Sequence, residues 1–289
     1  MIIEARKLCK EYPAFQLKDV DILLPEGYVL GLIGPNGAGK TTTIKLLMNI
    51  IPPDTGEIRL FGMQWNEENE ELIKQEIGYV GEEQPFYDQM SVKWTSNFVR
   101  QFYPNWDDEF YADLINRFEI DERNKVGDLS KGNRVRFALA VALAHKPRLL
   151  ILDEPTSGLD PLIRHEILKI LAEIISDGRR SILFSTHITE DLDKIADYIV
   201  LLNDGRVLLS DEKDQITAET KKVYLKRDDF HRLPSDLFIA HKMISNECVA
   251  VTTKFHELKR AYESITGDEP QAFGMSLDEV MLAYVKGEV

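Results

Sequence analysis

The sequence predicts an α/β fold organised around a phosphate-binding loop, with an inserted helical segment and a small α+β region towards its C-terminal end. Three observations carry that reading. A glycine-rich loop, Gly34–Thr41, stands between an apolar run at Tyr28–Ile33 and a helical stretch opening at Thr42. Two further unbroken apolar runs, Leu149–Leu152 and Ser181–Phe184, suit central strands covered on both faces. Beyond about Asp211 the pattern changes to short strand signals and a final capped helix.

Each element follows in order. Ile3, Ala5, Leu17, Val20, Ile22 and Leu24 alternate around a turn at Tyr12-Pro13, which predicts two or three antiparallel strands leading into the strand at Val29. Gly56–Gly62 reads as a short strand, Glu70–Glu76 as a helix and Ile77–Val80 as a core strand. From about Phe86 to His145 strand signals vanish and helical spacing replaces them, as at Phe110, Leu114, Ile115 and Phe118, which predicts a helical subdomain. Between the two later apolar runs lies a helix with Pro161 at its start and Gly178 at its end. Tyr198–Leu202 and Arg206–Leu209 flank Asn203-Asp204-Gly205, a hairpin that would finish the sheet. Val223–Leu225 and Val249–Val251 are short strands, and Ser276 with Glu279 forms a capping box before the last helix. The predicted division is residues 1–210, with the helical subdomain at about 86–145, and an accessory region at 211–289.

Composition limits the function. The chain has 289 residues, 44% of them hydrophobic and 29% charged, which suits a soluble globular protein with an ample core. Its formal net charge of -14 argues against a general nucleic-acid binder, which needs basic surface. Cys9 and Cys248 fall in no metal-spaced motif and read as idle thiols of a reducing compartment. The first residues lack the pattern of a signal peptide, and no apolar run approaches a membrane span, so any membrane role is expected to come through a partner.

The loop Gly34-Pro35-Asn36-Gly37-Ala38-Gly39-Lys40-Thr41 has Gly34 and Gly39 with four residues between them, then Lys and Thr. Glycines let the main chain curl until several N–H groups point at one anion. Lys40 adds a point charge for the outer phosphates, the Thr41 hydroxyl is suited to Mg²⁺, and the helix from Thr42 presents its N-terminus to the phosphates. An apolar strand ending in Asp153-Glu154 supplies the second half of such a site: Asp153 to reach Mg²⁺, Glu154 to take a proton from the attacking water. Alone, that acid pair would be two carboxylates capping a strand end in solvent; beside the loop it reads as chemistry.

With these motifs in order, the chain resembles the nucleotide-binding subunit of an ATP-binding cassette (ABC) transporter over roughly Met1 to Ser210. The resemblance implies a P-loop NTPase core with a mixed sheet and an antiparallel β-subdomain. It places Leu129-Ser130-Lys131-Gly132-Asn133 at the family signature, Asp153–Asp160 across the acid pair and D-loop, Ser185-Thr186-His187 at the switch histidine, and Tyr12 where an aromatic stacks on adenine. It implies that Ser130, Gly132 and Asn133 meet the γ-phosphate held by a second subunit, that Asp160 contacts that subunit's phosphate loop as well as capping its own helix, and that His187 holds the γ-phosphate and the water. Two chains, identical or not, would then close head to tail around two ATP.

Departures from the family pattern are local. Lys131 stands where Gly is usual and Asn133 where Gln is usual. At the family's Gln after the Ile77–Val80 strand the chain has Glu82 and Glu83, with Gln84 two positions on; spacing favours Glu82 as the metal-side residue. These variants and the Ser276–Val280 region resemble the ABC-2-type exporters of drugs, antimicrobial peptides and modulins in Gram-positive bacteria.

The expected function is therefore an ATPase on the cytoplasmic face of the membrane, peripheral through a separate transmembrane permease. Tyr87, Trp94, Phe98 and Phe102 would line a groove for a cytoplasmic helix of that partner, although for Phe98 and Phe102 the subdomain core is the better-fitting place. The competing reading is a soluble ABC ATPase acting on ribosomes or DNA. A single phosphate loop, no heptad insertion and acidic charge speak against it. A GTPase is disfavoured because Asn124-Lys125-Val126-Gly127 lacks the Asp of a guanine reader.

Overall fold

A computed structural model describes all residues, Met1–Val289, and divides the chain into two compact units, Met1–Val207 and Leu208–Val289. The first unit opens with a hairpin of β1 (Ile3–Tyr12) and β2 (Phe15–Leu24), then β3 (Val29–Ile33) and α1 (Lys40–Leu47). It continues through β4 (Thr55–Leu60), β5 (Met63–Gln64), α2 (Glu70–Gln75) and β6 (Ile77–Val80). The strand-free region follows: α3 (Val92–Arg100), α4 (Asp108–Arg117) and α5 (Lys131–Ala144). Then come β7 (Leu149–Asp153), α6 (Pro161–Ile175), β8 (Ser181–Thr186), α7 (Thr189–Ile195), β9 (Tyr198–Asn203) and β10 (Arg206–Glu212), within which the unit boundary falls.

The predicted α/β class and helical insertion are present. Strands β2-β1-β4-β5 form an antiparallel sheet, and β10-β9-β3-β8-β7-β6 form the central one. Within the latter, β9, β3, β8, β7 and β6 run parallel. Strands β3, β7 and β8 are buried at every residue, which is why they read as unbroken apolar runs rather than alternating ones. Helix α1 packs Ile44 and Leu47 into a core shared with Leu30 and Ile151 of the central sheet and Ile3 and Leu17 of the antiparallel one. Because β3, β8 and β7 are neighbours and parallel, the segments leaving their C-terminal ends emerge side by side, and all three predicted chemical motifs lie there.

Helix α5 begins one residue after Ser130, whose hydroxyl accepts the Asn133 N–H at 3.2 Å, and every residue from Phe137 to Ala144 is buried. Helix α6 starts with Pro161 behind Asp160, whose carboxylate accepts the Leu162 N–H at 2.8 Å. Helix α3 corrects one expectation. Phe98 and Phe102 are not core residues; they are 41% and 62% exposed. Its buried face is Val92, Thr95 and Ser96, so the stripe at Trp94, Phe98 and Phe102, spaced by four, lies on the other side.

The second unit holds a four-stranded antiparallel sheet in the order β12 (Ala240–Ile244), β13 (Glu247–Thr252), β11 (Lys221–Lys226), β14 (Gln271–Gly274). It also holds α8 (Lys213–Glu219), α9 (Arg227–Phe230), α10 (Phe255–Thr266) and α11 (Leu277–Lys286). Leu258 and Tyr262 of α10, four apart, pack on Val223, Leu225, Cys248 and Ala250. The capping box of α11 is complete: Ser276 accepts the Glu279 N–H, and the Glu279 carboxylate accepts the Ser276 N–H at 3.0 Å.

Candidate active site

The glycine loop is shaped by contacts on its far side. Gly34 presses so close to the Leu202 carbonyl that a Cβ there would sit 2.1 Å from the oxygen. Gly37 and Gly39 have φ of 83° and 108°, the left-handed region that favours glycine, and Gly39 is the residue before α1. Behind the loop, Ala38 accepts the Gly205 N–H at 3.0 Å, and Gly205 in turn accepts the Lys18 N–H at 2.8 Å. The hairpin turn predicted merely to finish the sheet is therefore also a buttress for the loop.

Lys40 is buried, and its ammonium donates to the Gly34 and Pro35 carbonyls at 2.8 and 3.3 Å. It lies 3.2 Å from Glu154 Oε1, an ion pair without hydrogen-bond alignment. The other carboxylate oxygen, Oε2, lies 2.8 Å from His187 Nδ1. Glu154 thus joins the phosphate loop to the residue that follows β8. Its backbone has φ of 52° and its N–H donates to Ser185 at 3.0 Å. A non-glycine residue in that region costs about 1–3 kcal/mol, a strain that clusters at functional sites.

Asp153 ends β7 at 2% exposure, and its Oδ1 has no hydrogen-bond partner. Burial first, and then the Asp153 carboxylate, push the neighbouring Tyr79 phenol above its ordinary value. An unpartnered buried carboxylate oxygen beside a phosphate loop fits a hard divalent cation. No group of three or more His, Cys, Asp and Glu side chains is placed to hold a metal ion, so such a cation would draw on few protein oxygens. That is the habit of Mg²⁺, which keeps water and shares phosphate oxygens.

A cleft of about 680 Å³ gathers Asn36, Gly37, Gly39, Lys40, Thr41, Thr42, Glu82, Glu154 and His187. Ala14, Phe15 and Ser157 complete its lining. Sequence reasoning passed over Phe15; Tyr12, at the end of β1, is not among the lining residues. The only available signal was an aromatic residue just past the Tyr12-Pro13 turn. Gln84, the other candidate for the metal-side position, lines a different cavity and donates to the Gly81 carbonyl at 2.9 Å. Ser130, Gly132, Asn133 and Asp160 do not line the cleft. The Asn133 carboxamide accepts from Arg136 at 3.0 Å, and Arg136 is paired with Glu166 of α6.

This constellation defines a phosphate-loop ATPase of the cassette type. The chain matches the ABC transporter family model over residues 17–157. It is 34% identical over 228 residues to the ABC transporter ATP-binding protein YtrB of Bacillus subtilis, spanning 78% of this chain and 77% of that one. It is 34% identical over 200 residues to the lantibiotic transport ATP-binding protein SrtF of Streptococcus pyogenes, spanning 68% and 85%. A solved ATP-binding subunit of an ABC transporter superposes with a TM-score of 0.68 at 28% identity, over 75% of this chain and 92% of that one. The chain belongs to the family of ABC transporter ATP-binding proteins. It is an ATP-binding ATPase subunit of a transporter, and the alternative of a ribosome- or DNA-directed cassette gives way to that reading. No helix is long and apolar enough to cross a membrane.

Proposed function

We propose that the Gly34–Thr42 cleft hydrolyses MgATP within a head-to-tail pair of cassettes and so powers export through a separate transmembrane subunit. The observation that carries this is the doubly engaged Glu154 carboxylate, in contact with Lys40 on one oxygen and His187 on the other. Lys40 and the loop amides neutralise the β- and γ-phosphates. Thr41, Asp153 and Glu82 would hold Mg²⁺, whose charge offsets that building on the phosphate oxygens. Glu154 takes a proton from water as the water oxygen bonds to the γ-phosphorus and the bond to the bridging oxygen breaks, giving ADP and phosphate. His187 meets Glu154 through Nδ1 and leaves Nε2 for the γ-phosphate and the water.

The pairing of cassettes explains why Ser130, Gly132, Asn133 and Asp160 lie outside the cleft of their own chain: their phosphates are in the second subunit. A cavity of about 370 Å³, with Met48, Trp65, Gln84, Phe86 and His145 in its wall, is the proposed seat for the transmembrane subunit's cytoplasmic helix. The run Tyr87, Trp94, Phe98, Phe102, with ring centroids 6.5, 5.3 and 5.3 Å apart, gives that helix an aromatic rim. Docking there would hold the chain at the cytoplasmic face of the membrane. The lantibiotic transport role of SrtF, together with the Glu82 and Lys131 variants, supports peptide or drug cargo. The test is purification from detergent-solubilised membranes with light scattering on Glu154→Gln in MgATP. Recovery of a multi-span subunit and an ATP-dependent dimer supports the reading; a monomer that hydrolyses at full rate with no membrane partner overturns it.

A further inference from the structure

Asp191 is fully buried on α7, four residues after His187. Its Oδ2 accepts the Thr156 hydroxyl at 2.6 Å, and its Oδ1 accepts Arg164 Nε at 2.5 Å. Thr156 is itself buried and stands two residues after Glu154, in a turn closed by the Ser157 N–H donating to the Glu154 carbonyl at 3.2 Å. Arg164 lies in the first turn of α6, four residues after Asp160, and its N–H donates to the Asp160 carbonyl at 2.9 Å.

These contacts close a ring. Glu154 meets His187 at 2.8 Å; the chain runs from His187 to Asp191; Asp191 binds Thr156 at 2.6 Å; two residues of backbone return to Glu154. The ring spans the strained Glu154 backbone, so something outside that residue must hold its conformation. The buried Asp191–Thr156 link is placed to do so. A carboxylate taken wholly out of water persists only when both oxygens are satisfied, and here they are.

We propose that Asp191 is a positioning residue for ATP hydrolysis, locking the Glu154 turn to the helix that carries His187 and tying both, through Arg164, to the start of α6 behind Asp160. It touches no nucleotide; it sets the alignment of the two groups that handle the water. The inference rests on the assignment of Glu154 and His187 as the reacting pair. Its consequence is selective: loosening the ring leaves the phosphate loop intact, so ATP binds while the chemical step slows.

Thr156→Val removes the hydroxyl at nearly constant volume, and Thr156→Ser keeps it. Both variants are assayed in the full chain for equilibrium ATP binding, KM and kcat per folded molecule, alongside Asp191→Asn and Glu154→Gln. The expected result is a kcat about tenfold to a hundredfold lower in Thr156→Val, with KM and ATP affinity within about twofold of the parent, and recovery in Thr156→Ser. Asp191→Asn should show the same split where it folds. Full kcat in Thr156→Val beside an inactive Glu154→Gln overturns the positioning role alone. So does an equal loss in Thr156→Val and Thr156→Ser, which would make the site sensitive to shape rather than to the hydrogen bond. A fully active Glu154→Gln overturns both the role and the reading beneath it.

Discussion

Glu82 and Gln84 are two positions apart in one linker, yet Glu82 lines the nucleotide cleft and Gln84 lines the apolar cavity beside α5. The linker after β6 therefore touches both ends of the proposed coupling, with an anion on the phosphate side. Glu82→Gln removes a negative charge near the triphosphate. An exposed charge of this kind is worth about 1 kcal/mol, or about fivefold. Metal-free ATP should bind about fivefold more tightly, and the Mg²⁺ concentration for half-maximal activation should rise. Fluorescent-nucleotide titrations with and without Mg²⁺ measure both; two unchanged curves would place Glu82 outside the metal site.

Lys40 and Glu154 are expected to fail differently. Lys40→Ala withdraws the ammonium from the Gly34 and Pro35 carbonyls and leaves the nearly buried Glu154 Oε1 without its counter-charge. ATP affinity should fall by at least about tenfold. Glu154→Gln keeps the shape and removes the base, so kcat should fall about 10²–10⁴-fold with binding retained. Calorimetry and a phosphate-release assay separate the two, and matching defects in both variants would contradict the assigned roles.

Trp94 and Phe98 stack with an interplanar angle of 4° on the solvent face of α3, away from its buried residues. Replacing both with Ser should cost little stability and leave basal ATPase within about twofold, since exposed positions contribute little. Recovery of the transmembrane subunit in detergent pull-downs should drop about tenfold or more. Undiminished recovery would move the docking surface elsewhere.

His145 is the buried group with a clear pH signature. Burial lowers its pKa from 6.5 to about 4, while Nε2 stays 3.1 Å from the Ile77 carbonyl and the ring stacks on Tyr103 at 3.9 Å. The unfolded chain binds this proton more readily than the folded one, so the stability it contributes is complete above pH 6.5 and drains away as pH falls towards 4. The full difference is at most about 3 kcal/mol. Urea denaturation of His145→Phe should show a shallower loss over that window than the parent, and parallel slopes would exclude His145 as the cause.

Much of the site was legible because its parts are local. The glycine loop, the acid pair and Ser-Thr-His each sit at the end of an apolar strand, and parallel pairing of β3, β8 and β7 brings them together. What escaped was tertiary. Phe15 enters the cleft only because the β1–β2 hairpin folds over Gly39, where a Cβ would meet its ring at 2.8 Å. Asp191 looks like one more surface acid of a short helix until Thr156 and Arg164 close on it. Helix α10 was legible in principle: Phe255, Leu258, Tyr262 and Ile265, spaced by three, four and three, all pack in the accessory core, although only Leu258 and Tyr262 are fully buried.

The turn at Gly205 has a further consequence, for biogenesis. Its N–H holds Ala38, its φ is 71°, and a Cβ there would lie 1.9 Å from the Gln16 carbonyl, while Leu202 presses on Gly34. The mould for the anion cradle thus emerges from the ribosome long after the cradle itself, and contacts so distant along the chain form slowly. A nascent polypeptide halted before Leu202 carries the whole glycine motif without the wall that shapes it. Nucleotide capture is therefore expected only after synthesis has passed the hairpin.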